Sequence, residues 1–284
     1  MSNFAFGGDK RAYPQPVNPS APIPATVVNH GEMVISAIRH FVNLPDDDDR
    51  GNSKLLWVSD MGQCPRRSIL RVTDHEETIP FDTEAKIRFL GGNIYEDSTA
   101  ACLKSLYGKD NVIRELHLGN QYWSGYADFV IGHGTLSPVI IEHKATGDRW
   151  WNYTNNIPRH PHVAQLWMYG QLYYEAFHIL PKLILFYRAW GHYAEIEITE
   201  IPGAEACLAK GTIDGAPIEK TISPHPMIYQ AQLEQSFAAR DTELPQRLDD
   251  MQAGCVFRGE PSCLMYHHCW GEEEGEDAVA KTAV

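Results

Sequence analysis

The stretch Val139-Ile140-Ile141-Glu142-His143-Lys144 decides how the chain is read. It is a hydrophobic strand that delivers Glu142 and Lys144 two residues apart, so both side chains emerge on the same face. Upstream, Gly125-Tyr126-Ala127-Asp128-Phe129-Val130-Ile131 reads as the preceding strand of a hairpin, with turn-forming residues from Gly132 to Pro138 between them. Two carboxylates and a lysine gathered in this way have a chemical use. The carboxylates can hold Mg²⁺ through hard oxygen ligands, and the lysine can orient or help deprotonate an attacking water. Taken alone, Glu142-x-Lys144 is also a common pair on a solvated hairpin face, so the surrounding chain has to decide.

Working outward, residues 83–107 read as a long helix with a break near Gly91-Gly92, and Glu96 sits on it in Phe89-Leu-Gly-Gly-Asn-Ile-Tyr-Glu96-Asp97. Val112 to Leu118 is the first of three strands, ahead of Gly125 to Ile131 and Val139 to His143. His162 to Phe177 is helical and places His162, Gln165 and Tyr169 along one face. Leu183 to Tyr187 and Ala194 to Ile198 are two further strands. This order predicts an α/β sandwich around a mixed central sheet. His160 and His162, flanked by Pro158 and Pro161, read as a loop before the helix, with His162 a candidate for touching a DNA phosphate. Trp150, Trp151 and Tyr153 are candidates for stacking on unpaired bases or for a half-buried loop cluster.

The 284 residues suffice for one large domain. Residues 1–25, with five prolines, read as a flexible arm; 26–270 as the folded domain; 271–284 as an acidic tail. Within the domain, Met33, Val34, Ala37, Ile38 and Phe41 recur at helical spacing until Pro45 and four aspartates stop them. No apolar run reaches the roughly 18 residues that cross a bilayer, and the first residues lack a signal-peptide core, so a cytoplasmic home and no membrane partner are expected. The net charge of −13 weighs against nucleic acid, but it is concentrated at Asp46 to Asp49 and at Glu272 to Asp277. Basic residues cluster at Arg66, Arg67 and Arg71 and again at Lys86 and Arg88.

Of the six cysteines, Cys255, Cys263 and Cys269 lie within fifteen residues, while Cys64 opens Cys64-Pro-Arg-Arg67 far upstream. Clustered thiols in a cytosolic chain point to metal more readily than to disulfides. Four thiolates suit an iron–sulfur cluster or tetrahedral zinc, for which His267 and His268 could substitute as ligands; buried thiols without metal are the third reading. Cys102 and Cys207 read as simple buried thiols.

The order Gly92-x-x-x-Glu96, Asp128, Glu142-x-Lys144, Gln165-x-x-x-Tyr169 resembles the RecB-type PD-(D/E)XK nucleases, a group that includes lambda-type phage exonucleases and the iron–sulfur nuclease of CRISPR spacer acquisition. The likeness covers roughly residues 55–270. It implies a restriction-endonuclease-like sandwich in which Glu96, Asp128, Glu142 and the backbone carbonyl of His143 hold Mg²⁺ or Mn²⁺. Lys144 would position the water, while Gln165 and Tyr169 would contact DNA or brace the site. Many members carry histidine in a G-x-x-x-H motif, where Gly91-x-x-x-Tyr95 here has tyrosine; the alignment on Glu96 is the lambda-like one. In the iron–sulfur branch, a Cys-Pro-Arg near the start joins three later cysteines around one [4Fe–4S] cluster, which here implies Cys64, Cys255, Cys263 and Cys269. Cys263-x₅-Cys269 follows that pattern, whereas seven residues stand between Cys255 and Cys263 where the branch usually has two.

The expectation is therefore phosphodiester hydrolysis on DNA, single-stranded or at ends, in recombination, repair or CRISPR adaptation in a bacterium or a phage, with partner proteins from those processes. The alternatives are a non-catalytic DNA-binding subunit that keeps the fold and a zinc-stabilised adaptor.

Overall fold

The computed structural model describes residues 54–73, 75, 83–147 and 157–245, with 256–257, 260–261, 263, 265, 268 and 269 near the C-terminus. The N-terminal arm, the Met33–Phe41 segment, both acidic blocks, Trp150, Trp151, Tyr153, Cys255 and His267 lie outside the described residues.

Short turns bring the first long strands together. β1 is Leu56–Trp57, β2 Val112–Gly119, β3 Trp123–Ile131 and β4 Val139–Ala145. Between β2 and β3, Asn120 Oδ1 accepts the backbone N–H groups of Tyr122 and Trp123 at 2.9 and 3.0 Å, satisfying donors that the ladder cannot reach. Between β3 and β4, Gly132 and Gly134 adopt φ of +66° and +79°, the left-handed conformation glycine takes without steric penalty. β2 and β4 both run antiparallel to β3, and β1 pairs with its first residues in parallel. The helix α3 (His160–Phe177) then carries the chain across the sheet, so that β5 (Lys182–Ala189) lies parallel to β4. β6 (His192–Glu200), β7 (Cys207–Ile213) and β8 (Ala216–Ile222) continue as an antiparallel meander, completing an eight-stranded mixed sheet. The other α-helices among the described residues are α1 (Pro65–Val72), α2 (Thr83–Tyr107) and α4 (Pro226–Ala238).

Alternation along the strands feeds two hydrophobic clusters. Val130, Ile140, Leu185 and Tyr187 pack in the main core with Leu166, Met168, Leu172 and Tyr173 of α3. Phe129, Ile141 and Ile184 pack with Ala100 and Leu103 of α2. Neighbours in sequence thus face different helices, which makes this an α/β sandwich with the sheet covered on both faces. Burying side chains of this size contributes about 1.5–3 kcal/mol each, enough to fix α3 against β4 and β5.

Several expectations are corrected. α2 runs unbroken through Gly91-Gly92. Glycine in a helix interior is roughly 1 kcal/mol less favourable than alanine, too little to break a helix whose second half is anchored on the sheet. Among the described residues, a Cβ at Gly91 would meet nothing within 4 Å, and one at Gly92 Ala145 Cβ at 3.8 Å. His160 and His162 belong to the first turn of α3, where Pro161 is tolerated because its missing N–H has no helical partner. β7, β8 and α4 lie beyond the last expected strand. Gly211 interrupts the β-like composition of β7, yet a Cβ there would stand 2.0 Å from Glu195 O, so only glycine fits. Cys207 is buried as expected, but Cys102 is exposed on α2.

Candidate active site

The site forms where β4 separates from β3. Their pairing runs from Ile131↔Val139 to Phe129↔Ile141 and stops. At the next step the Asp128 side chain takes over from the backbone: its Oδ2 accepts the N–H of His143 at 2.7 Å. Glu142 is 1% exposed, and the Lys144 ammonium donates to its Oε1 at 2.6 Å and to Gln165 Oε1 at 3.0 Å. Strand alternation therefore places Glu142 and Lys144 on the α3 face, within reach of Gln165. His143 points to the other face, between the rings of Phe129 and Phe186.

Tyr169, 3% exposed, sits one turn beyond Gln165 on α3. Burial holds its phenol well above the ordinary range, Glu142 and Asp128 push it further, and hydrogen bonds with Gln165 and the Tyr126 backbone oppose them. Gln165 thus accepts from Lys144, and Tyr169 supports Gln165 from the next turn of the helix.

Glu96 approaches from α2. Arg114 of β2 donates from Nε to Glu96 Oε1 at 3.3 Å and from Nη1 to the neighbouring Asp97. On the other side, Arg188 of β5 donates to Ser98 Oγ at 2.7 Å and Thr99 Oγ1 at 3.2 Å, and lies over the Tyr95 ring. Two arginines from opposite parts of the sheet therefore fix the one helical turn that carries Glu96.

The charges act on one another. Burial raises the Asp128 pKa well above the ordinary range; Glu142 and Glu96 add to the shift, while Lys144 and the His143 N–H oppose it. Burial likewise raises Glu142, opposed by Lys144 and reinforced by Glu96. Burial alone would lower the Lys144 pKa, but Glu142, Asp128 and Glu96 overcome it and keep the ammonium charged. Glu142 Oε2 is buried with no hydrogen-bond partner. A buried carboxylate oxygen without a partner is unfavourable unless a cation or proton meets it. Hard oxygen donors, mutual repulsion and this orphaned atom fit a divalent cation. Among the described residues, no three His, Cys, Asp or Glu side chains converge closely enough to hold one outright. The contacts account for this: Arg114 engages Glu96, and Asp128 is turned to the His143 N–H.

Other expected residues have different roles. His162 faces the Tyr187 hydroxyl at 2.9 Å, and burial, with Lys144 and Arg159, pushes its pKa down to about 2. It is a neutral ring, not a cation for phosphate. The basic group at the start of the domain is partly internal, since Arg71 pairs with Asp60 at 2.9 Å and Arg66 donates to Pro245 O. Sequence reasoning missed Arg114, Arg188 and Tyr187. The one signal was a lone arginine within each of two otherwise largely apolar strands, Val112–Gly119 and Lys182–Ala189.

Cys64 caps α1, and the C-terminal cysteines come back to it. Burial raises the Cys269 thiol pKa; a hydrogen-bonded Arg66 pulls it down, while Cys263 and Cys64 push it up, but among the described residues no three cysteines or histidines converge closely enough to hold a metal. His268 packs edge-on against His75 with ring centroids 4.9 Å apart. His268 and Cys269 thus lie against His75 and Arg66, while the fourth expected cysteine, Cys255, lies outside the described residues.

Among the described residues no helix is long and apolar enough to cross a membrane. No protein-family model, no curated protein and no solved structure matches the chain.

Proposed function

We propose that the chain is a divalent-metal-dependent deoxyribonuclease with the PD-(D/E)XK type of site, acting at DNA ends. The observation that carries this reading is the buried Glu142, its Oε1 held by Lys144 and its Oε2 without a hydrogen-bond partner among the described residues, with the half-buried Asp128 and Glu96 close enough to act on its charge. Glu96, Asp128, Glu142 and the His143 carbonyl would hold Mg²⁺ or Mn²⁺, which when bound offsets the charge developing on the phosphoryl oxygens. The chain's residues do the rest. Lys144 stays protonated, so it orients the attacking water and the phosphate rather than taking a proton. Gln165 fixes the ammonium's direction, and Glu142 Oε1 keeps it charged. Water adds to phosphorus in line as the bond to the leaving oxygen breaks. The proton that the water gives up passes to solvent or a phosphoryl oxygen, and the departing sugar oxygen takes one up from solvent. Cys64, Cys255, Cys263 and Cys269 would hold an iron–sulfur cluster, with zinc the alternative, that ties the domain's ends. The natural setting of this reading is recombination, repair or CRISPR adaptation, with their partner proteins.

The test is a time course on end-labelled single- and double-stranded DNA, with Mg²⁺, with Mn²⁺ and with chelator. Metal-dependent loss of terminal nucleotides is expected. DNA bound but uncut at every metal concentration would leave a DNA-binding subunit instead.

A further inference from the structure

Arg114 of β2 holds Glu96 imperfectly. It donates from Nη1 to Asp97 and from Nε to Glu96 Oε1 at 3.3 Å, while Nη2 is buried with no hydrogen-bond partner among the described residues. Nε and Nη2 lie on one edge of the planar guanidinium. A carboxylate facing that edge ordinarily accepts from both, at about 2.7–2.9 Å. Glu96 takes only one of the two donors, and at a longer distance. A buried donor left open is unfavourable enough to need a reason. Its counterpart is the buried Glu142 Oε2, an acceptor with no donor. The Glu96 carboxylate acts on the charge of Glu142 as well as on that of Arg114. The backbone beneath it is fixed, because Arg188 holds Ser98 and Thr99 and lies over Tyr95. Only the Glu96 side chain has to turn for its partner to change. The pair is not sealed: the Arg114 and Glu96 side chains are 12% and 14% exposed.

We propose that Arg114 is a phosphate-binding residue that Glu96 masks until a divalent cation is bound. The cation draws the Glu96 carboxylate toward Asp128 and Glu142. Arg114, still oriented by Asp97, then offers its Nε and Nη2 to two oxygens of a DNA phosphate, the fork geometry that suits this side chain. This rests on the nuclease reading and adds an order to it, with the cation first and the phosphate second.

The experiment measures binding of a fluorescein-labelled single-stranded 20-mer to the full chain, in chelator and in saturating Ca²⁺ at equal ionic strength. Mn²⁺ affinity is followed by electron paramagnetic resonance on the protein alone, and thermal melting checks that each variant is folded. Arg114→Gln should weaken DNA binding about tenfold in Ca²⁺. In chelator it should bind as the parent does, since Glu96 already occupies the guanidinium there. It should also bind Mn²⁺ more tightly, because no arginine competes for Glu96. Arg114→Lys keeps the charge without the fork and should recover little of the DNA affinity. Glu96→Gln should uncover Arg114 without metal, tightening DNA binding in chelator about tenfold. That gain should vanish when Arg114→Gln is added, or Arg114→Lys if the glutamine variant does not fold. A guanidinium acting through its charge alone would weaken binding equally in both solutions and leave the Glu96→Gln gain intact. Either result overturns the exchange, and a parent that binds Mn²⁺ and cuts DNA keeps the nuclease reading. A parent that binds neither Mn²⁺ nor DNA overturns both.

Discussion

The carboxylate site and the cysteine cluster solve opposite problems. At the site, like charges are pressed together inside the sandwich, and the fold supplies Lys144 and Arg114 against them. At the cysteines, the Cys269 thiol from one end of the domain lies against Arg66 from the other, joining parts of the chain that are far apart in sequence. On the proposed reading, the first arrangement would store charge that chemistry can use, and a metal held at the second would shorten the reach of the unfolded chain. Oxygen donors in one place and sulfur in the other suit different metals, so damage to one should spare the other.

The strongest test of that separation is Lys144→Ala. Cleavage should fall by about a hundredfold or more, and DNA binding in Ca²⁺ should be nearly unchanged. Because Glu142 then loses its buried partner, the melting temperature should fall as well. Near-normal turnover would remove Lys144 from the mechanism.

Cys269→Ser attacks the other region. Closing a loop of about 190 residues restricts the unfolded chain by about 4–5 kcal/mol. If metal at the cysteines supplies this tie, its loss should lower the melting temperature by roughly 10 °C. Metal-dependent cleavage should survive in the soluble fraction at low temperature. A variant that melts like the parent but is inactive would place the cysteines in DNA engagement or redox control.

The smallest expected effect is the most diagnostic of stored charge. Asp128 has a raised pKa through burial first and then the Glu142 and Glu96 carboxylates. A carboxyl whose pKa is higher in the folded state stabilises the fold at low pH, and that contribution is lost as pH rises through the raised value. Asp128→Asn removes the charge but keeps an oxygen for the His143 N–H. The metal-free variant should therefore melt higher than the metal-free parent at neutral pH, by roughly 3 °C. The difference should vanish toward about pH 4. A difference independent of pH would mean that Asp128 is not under electrostatic load.

How much of this was legible depended on the range of the interactions. β3 and β4 could be read because apolar runs end in glycine- and proline-rich turns, and the period of a strand puts Glu142 with Lys144. Gln165 and Tyr169 followed from helical spacing. Arg114 and Arg188 could not be read in the same way, because their partners stand 18 and about 90 residues away in sequence. The neutrality of His162 also depends on tertiary structure, through burial and the nearby Lys144. β7 escaped notice because Gly211, needed for close approach to Glu195, looks like a strand breaker.

The central claim is that Glu142, with Asp128 and Glu96, holds a divalent cation on which DNA cleavage depends. It is tested most directly by titrating Mn²⁺ into metal-free parent and Glu142→Gln, following bound Mn²⁺ by electron paramagnetic resonance and cleavage of end-labelled DNA in the same samples. Saturable binding that tracks cleavage in the parent, with both lost in the variant, is the predicted result. Cleavage that proceeds without metal, or that survives unchanged in Glu142→Gln, would contradict it.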